Sequence, residues 1–350
     1  MPSKVEEEEI KDGVKNRKTK AVALLSGGLD SSLAVRMMLE QGVEVEAIAI
    51  KTPFCDFDCG KGCGHRVKRV STELGVPLKT VYLGEEYLKM LKKPKHGYGS
   101  GMNPCIDCRA MMYKEAKKHM EKINADFIVT GEVLFQRPMS QNSRALRIIE
   151  EETNTTGKIL RPLSAKHLAP TEAEKDRLVK RECLAEIKGR SRKGQLRLAH
   201  HFNIEDPPNS AGGCLLTDPI FSKRIEDAIK HTYDILNLND VELLKLGRHF
   251  RMTSDAKLIV GRNMEENEKI KHLSMAGDTI LEAADYVGPT CLLRSKTHDE
   301  SILNASASIL LRYSDSPKGV KCRVRAVVYD KEEEICVASA SDEEIVKLRI

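Results

Sequence analysis

The chain has no tryptophan, and all aromatics together make up only 4% of it. Rows of aromatic platforms for stacked bases are therefore not a binding method this composition favours. Long apolar runs are also missing, and none approaches the length a bilayer span needs. The first twenty residues, "MPSKVEEEEIKDGVKNRKTK", contain no apolar signal core and no Arg/Ser-rich transit pattern. These absences predict a cytoplasmic protein with a short charged N-terminal arm and no membrane partner. Strong charge of one sign is lacking too. The net charge of +5 gives only a mild bias towards anionic partners. No internal repeat is visible, and the acidic run at Glu6 to Glu9 is the single biased tract.

Cysteine, by contrast, is plentiful, with ten in the chain. Without a secretory signal they argue against a disulfide framework and for metals, clusters or sulfur chemistry. A length of 350 residues suggests two domains. With 41% hydrophobic and 31% charged residues, a packed core is expected and global disorder is not.

From Thr19 onward, strand and helix patterns alternate. "AVALLS" reads as a buried strand, "LAVRMMLEQG" as a helix and "VEVEAIAIKT" as the next strand. A second helix, "GHRVKRVSTELG", and strand, "PLKTVYLG", follow, then "CRAMMYKEAKKHMEKI" and "ADFIVTGEV". Such alternation predicts an α/β fold with a doubly wound parallel sheet, binding ligands at the C-terminal strand ends. Beyond about residue 222 the texture changes. Helical runs at residues 223–238 and 241–246 lead to period-two segments such as "TCLLRS", "KCRVRAVVY" and "EICVASA". They predict a smaller C-terminal α+β domain.

"LLSGGLDSS" carries the sharpest signal. A buried strand ends, Gly27 and Gly28 turn the backbone, and a helix starts at once. Backbone N–H groups at such a junction converge on an anion. Ser26, Ser31 and Ser32 add hydroxyls, and Asp30 can cap the helix or help hold Mg2+. The Lys-Ser/Thr ending of the phosphoryl-transfer P-loop is missing, as is the third glycine of the dinucleotide fingerprint.

Cys105 and Cys108, in "GMNPCIDCRAMM", open a helix whose dipole favours thiolate. Taken alone the pair is a redox dithiol, half a zinc site, a cluster anchor or a sulfur-handling nucleophile. Cys214 in "SAGGCLLTD" is a third thiol, and its preceding glycines permit close backbone approach. "FCDFDCGKGCGH" spaces Cys55, Cys59 and Cys63 as C-x3-C-x3-C, unlike common zinc knuckles. This trio is a possible second metal site for Zn2+ or a cluster, a sulfur relay, or a set of spectator thiols. Cys183, Cys291, Cys322 and Cys336 read as core residues.

Residues 26–31 match the Ser-Gly-Gly-x-Asp-Ser signature of the PP-loop ATP pyrophosphatases, and the chain resembles that superfamily. The resemblance implies an adenine nucleotide alpha hydrolase-like, Rossmann-like domain. It also implies ATP and Mg2+ as cofactors and transfer of adenylate to a carbonyl or carboxylate oxygen. The nucleotide-binding set it implies is Ser26, Gly27, Gly28, Leu29, Asp30, Ser31, Ser32 and Gly131. With the cysteines added, the chain resembles the tRNA thiouridine synthases of this class. The shared segments include "GYGSGMNPCIDCR", "FIVTGEVLFQRPMSQ", "ILRPLSAKHLAPTEAE" and "IKGRSRKGQLRLA". In one branch of that family, cysteines in the positions of Cys105, Cys108 and Cys214 hold a [4Fe-4S] cluster with one open iron. In the other, two cysteines carry and resolve a persulfide. One departure is Phe135, where the family pattern has glycine.

"IVGRNMEENEKI" resembles the start of the RNA-binding domain of NFACT-type proteins, through Gly261, Arg262, Asn263, Glu266 and Asn267. Arg262 and Asn263, with Arg190, Arg192 and Lys193 of the basic run "KGRSRKGQLR", are candidate RNA contacts. The expected layout is an arm at 1–19, a PP-loop domain at 20–222, a helical linker at 223–248 and the NFACT-type domain at 249–350. The expected activity is ATP-dependent tRNA sulfurtransfer, with Cys105, Cys108, Cys214 and Asp30 as catalytic residues. Its partners are tRNA and a sulfur donor (a desulfurase, a carrier or free sulfide), and a homodimer is allowed. The competing expectation is a PP-loop ligase or amidotransferase with a nitrogen nucleophile, for which the three cysteines have no use.

Overall fold

The computed structural model describes residues 17–55, 63–204, 214–232, 236–328 and 331–350, without the side chains of 63–65 and 232. In chain order the first elements are β1 (Lys20–Leu24), α1 (Leu29–Glu40), β2 (Glu44–Lys51), α2 (Cys63–Leu74), β3 (Leu78–Tyr82) and α3 (Glu85–Lys92). Next come α4 (Cys105–Lys122), β4 (Phe127–Thr130), α5 (Ser143–Thr153), β5 (Ile159–Leu160), α6 (Glu172–Lys175) and α7 (Lys193–His201). The rest are α8 (Pro219–Thr232), α9 (Leu238–Leu244), β6 (Arg248–Thr253), β7 (Ala256–Val260) and α10 (Met264–His272), then β8 (Thr279–Ala283) and β9 (Cys291–Ser295). They end with α11 (Glu300–Arg312), β10 (Cys322–Val328), β11 (Lys331–Val337) and α12 (Asp342–Leu348). The chain forms two compact units. One holds Met1–Leu83, Pro94–Gly99 and Pro104–Cys214, and the other Gly84–Lys93, Ser100–Asn103 and Leu215–Ile350.

The first unit is the α/β domain. Its five strands run in the order β3-β2-β1-β4-β5, all paired in parallel. The central strands are short apolar runs because helices cover both faces, and every residue of β4 ("FIVT") is buried. Helix α1 packs Leu33, Ala34, Met37 and Met38 into this core beside Ala21, Ala23 and Val129. Succession proceeds outward from β1 to β3, then jumps to β4 on the other side of β1. The switch point therefore lies between β1 and β4, where an open α/β sheet leaves a crevice at its C-terminal strand ends.

The second unit is built on a six-stranded antiparallel sheet, β11-β10-β8-β9-β7-β6. The expected alternation holds, with β10 reading buried-exposed from Cys322 through Ala326. One sheet face, with Phe250, Leu258 and Leu293, packs on Leu303, Ala307 and Leu310 of α11. The other face sets Ile259 and Leu292 against Leu243 of α9 and Ile270 of α10.

Three details differ from expectation. Helix α8 begins at Pro219 rather than Lys223, because proline suits the first helical turn and the Asp218 carboxylate accepts the Phe221 N–H at 2.7 Å. Helix α11 was not among the expected elements; it buries Ile302, Leu303, Ser306, Ala307 and Leu310 at helical spacing, and Asp299 caps it through the Ser301 N–H at 2.8 Å. Cys291 and Cys322 are core residues, but Cys183 and Cys336 are exposed. Cys183 lies in a short 3-10 turn, and Cys336 points outward on a strand whose outer face is charged.

Candidate active site

The turn from Ser26 to Ser32, the candidate phosphate loop, follows β1 at the switch point. Gly27 has φ +74°, and a Cβ there would lie 3.0–3.2 Å from Val67, so both backbone and space call for glycine. Gly28 is the N-cap of α1, and no side chain caps that end. The first-turn N–H groups of a helix have no intrahelical acceptor, so an uncapped start is suited to an anion. Ser26 is exposed at the turn. Ser31 and Ser32 are buried, and their hydroxyls donate back to the Gly28 carbonyl at 2.9 and 3.0 Å. These bonds brace the loop. The Asp30 carboxylate accepts from the Gln136 amide at 2.9 Å.

Gly131 follows β4 and leans on this turn. A Cβ at Gly131 would lie 2.5 Å from the Asp30 carbonyl carbon and the Ser31 nitrogen. No side chain fits, so the end of β4 rests directly on the first turn of α1. The adjacent Glu132 is 3% exposed. One of its oxygens accepts the Arg161 Nε–H at 3.0 Å, the Thr130 hydroxyl at 3.3 Å and the Tyr113 hydroxyl. The other faces the Arg109 Nε at 3.1 Å, an ion pair by distance though off hydrogen-bond geometry. Arg161 also reaches the Tyr113 oxygen at 3.1 Å and Glu150 at 2.5 Å. Burial alone would raise the Glu132 pKa, but Arg109 and then Arg161 hold it below the usual carboxylate range. Burial pushes the Tyr113 phenol up.

Arg109 directly follows Cys108, so this hub joins the strand end beside the phosphate loop to the cysteine helix. Burial disfavours the Arg109 charge; Glu132 foremost, with Tyr113, Cys108 and Cys105 behind it, raises the pKa on balance. Cys105 is the first residue of α4 after the N-cap Pro104, and both thiols are half-buried. Between them the Asp107 carboxylate accepts the backbone N–H groups of Lys95 and His96 at 3.0 and 3.1 Å. That ties the segment 94–99 to the helix.

Cys214 is half-buried, its Sγ 3.9 Å from the Phe54 carbonyl, on the turn after β2 where Cys55 lies 3.2 Å from the Thr52 hydroxyl. Cys59 and the Cys63 side chain lie outside the described residues. Among the described residues, no three His, Cys, Asp or Glu side chains are gathered to hold a metal ion. Sequence reasoning missed Arg109, Tyr113, Glu132 and Arg161 as one unit. The signals were there, an arginine after the cysteine pair and a glutamate after Gly131, but the unit is assembled from separate elements between Arg109 and Arg161.

Two family models match. Residues 16–168 match "Thiamine biosynthesis protein (ThiI)", and residues 247–349 match "NFACT protein RNA binding domain". The first match falls mostly within the α/β unit and the second on the antiparallel-sheet domain. A "Probable tRNA sulfurtransferase" of Lysinibacillus sphaericus is 35% identical over 41% of this chain and 34% of its own length. A "tRNA-specific 2-thiouridylase MnmA" of Clostridium acetobutylicum is 27% identical over 66% of this chain and 65% of its own. Another, from Syntrophotalea carbinolica, is 28% identical over 34% and 36%. The chain thus spans from about a third to just under two-thirds of these relatives. Among solved structures, a 4-thiouridine synthetase–RNA complex with bound ATP aligns with TM-score 0.34 and 24% identity, over 53% of this chain and 52% of that one.

In the α/β unit, Arg190 and Lys193 are exposed and Arg192 is half-exposed near the start of α7. In the antiparallel-sheet domain, Asn263 is the N-cap of α10 and accepts the Glu266 N–H at 2.9 Å. Arg262 pairs with both oxygens of Glu266. These contacts give the Gly-Arg-Asn element a structural duty. The same domain holds a cavity of about 380 Å³. Arg251, Lys257 and Arg294 form a cross-strand row there, with Asp227 accepting from Arg251 at 2.6 Å and Lys257 at 3.4 Å. Burial pushes the Lys257 amine down to about 8. No described helix is long and apolar enough to cross a membrane.

Proposed function

We propose that this protein is an ATP-dependent tRNA sulfurtransferase of the thiouridine synthase type. The observation that carries the proposal is the junction at Gly131 and Glu132. One residue seals the phosphate loop, and the next anchors the arginine beside Cys108. Activation chemistry and sulfur chemistry thus share one strand end. In this reading the uncapped turn at Gly27 and Gly28 takes the phosphates of ATP, and Asp30 meets Mg2+. A uridine carbonyl oxygen attacks the α-phosphorus and pyrophosphate leaves. A terminal persulfide sulfur on one cysteine then attacks the activated carbon and displaces AMP. A second cysteine thiolate attacks the bound persulfide, leaving a disulfide on the protein and sulfur on the base. A sulfur donor supplies the persulfide, and a thiol reductant restores the cysteines.

A three-cysteine [4Fe-4S] site at Cys105, Cys108 and Cys214 is the variant of this proposal. Thiolates suit such a cluster chemically. The described side chains do not form a gathered triad, so no step here runs through it. When bound, the cluster would supply an open iron for sulfide. RNA recognition is assigned to Arg190, Arg192, Lys193, Arg262 and Asn263, with the NFACT-type domain beginning near residue 249.

The deciding experiment is anaerobic purification with iron analysis, paired with thionucleoside profiling of a deletion strain complemented by Cys105→Ser, Cys108→Ser or Cys214→Ser. Loss of a thiouridine in the deletion strain, restored only by the parent, supports the function. An unchanged profile would sink it. Brown protein losing iron in all three variants favours the cluster, whereas colourless active protein favours the persulfide.

A further inference from the structure

We infer that Phe135 is a stacking face for an RNA base brought to the phosphate loop, an inference that rests on the function proposed above. Three observations meet at this residue. First, its backbone has φ +64°, a left-handed conformation that bulky residues rarely adopt. The loop dictates it, since the Phe135 N–H donates to the Gln141 carbonyl at 2.6 Å and the Gln136 N–H to the Val133 carbonyl at 3.1 Å. Glycine would satisfy this geometry without strain. Second, the residue is only half buried in return, with Phe135 50% exposed. Strain held for so little packing points to work done at the surface.

Third, the loop lies between a phosphate-binding turn and a basic segment. On one side Gln136 donates to Asp30 of the phosphate loop at 2.9 Å. On the other, Leu134 bridges to Lys188, and the Gly189 N–H donates to the Leu134 carbonyl at 2.7 Å. Residues 188–197 carry five bases and no acid, and Lys188, Arg190, Lys193 and Arg197 are exposed. An apolar ring flanked by an anion site and a run of cations matches a nucleotide within a strand, its base on the ring and its backbone on the cations. A single exposed phenylalanine here gives a defined platform in a chain otherwise poor in aromatics.

The absence of tryptophan supplies the probe. Phe135→Trp places one indole in the whole protein, and tRNA should quench its emission, with a non-hydrolysable ATP analogue alone having little effect. Phe135→Gly relieves the backbone, so the variant should melt no lower than the parent while its Kd for tRNA rises roughly tenfold. Phe135→Leu, apolar but without a π face, should behave like glycine in binding. Three results would overturn the inference: tRNA without effect on the indole emission of Phe135→Trp, quenching by the ATP analogue alone, or Phe135→Gly binding tRNA as the parent does. Quenching by tRNA in a protein that makes no thiouridine would leave Phe135 as an RNA contact and remove the sulfurtransferase reading instead.

Discussion

Glu132→Gln tests the hub on which the site rests. The substitution keeps shape and removes charge at a residue 3% exposed. It leaves Arg161 with Glu150 at 2.5 Å, but takes from Arg109 its carboxylate at 3.1 Å. Removing one partner of a buried ion pair costs about 3–5 kcal/mol. Arg161 keeps a second acid and the Arg109 side chain is 23% exposed, so the lower end applies, about 3 kcal/mol. That is a large share of the roughly 5–15 kcal/mol that holds a domain together. Urea unfolding followed by circular dichroism should show the α/β unit's midpoint falling by about 1 M or more. The pH dependence has a definite sign. Glu132 is held below its ordinary value, so its contribution is present above the unfolded carboxylate pKa of about 4.3 and is lost as pH falls through the native value. The gap between parent and variant should therefore be flat from about pH 6 to 8 and close in acid. A deficit under about 1 kcal/mol at pH 7 would refute the account of Glu132 as the organising charge.

Gly131→Ala should cost about 1–3 kcal/mol, since its Cβ would meet backbone atoms of Asp30 and Ser31 at 2.5 Å. On the function proposed above, ATP affinity by calorimetry should fall at least about tenfold, because the added methyl displaces the turn that would take the phosphates. Asp107→Ala removes the acceptor for the Lys95 and His96 N–H groups. Their hydrogen exchange should speed up by roughly ten- to hundredfold, matching about 1–3 kcal/mol of lost satisfaction. Lys257→Met addresses the NFACT-type domain. The native amine sits at about 8 against 10.5 when unfolded, so the parent gains stability with rising pH across that window. The variant should be the more stable by on the order of 2–3 kcal/mol at pH 7, its lead shrinking towards pH 10. A gap that does not change with pH would remove the burial argument.

Much of the α/β unit was legible because its signals are local. The runs that became β1, β2 and β4 are apolar and short, and the Gly27–Gly28 turn sits where strand meets helix. The C-terminal sheet was readable from period-two alternation, whereas α11 was not. Its buried face does carry Ile302, Leu303 and Leu310 at helical spacing, but the Asn-Ala-Ser-Ala-Ser centre at 304–308 blurs the contrast between buried and exposed positions. Cys336 was misread as core because its neighbours alternate, and only the pairing of strands decides which side is wet; Cys183 was misread because it lies in a 3-10 turn, where flanking apolar residues do not fix which side is covered.

The Gly27–Gly28 loop and the cysteine pair at the start of α4 follow from short-range chemistry: backbone conformations and helix ends that a few neighbouring residues specify. The three-dimensional fold alone decided that Gly131 seals that loop and that Glu132 binds Arg109, Tyr113 and Arg161. It also decided that Ser31 and Ser32 turn inward and that Phe135 stands exposed between Asp30 and Lys188. Those facts depend on which strands become neighbours, and burial and ion pairing between distant segments exist only after the sheet has formed.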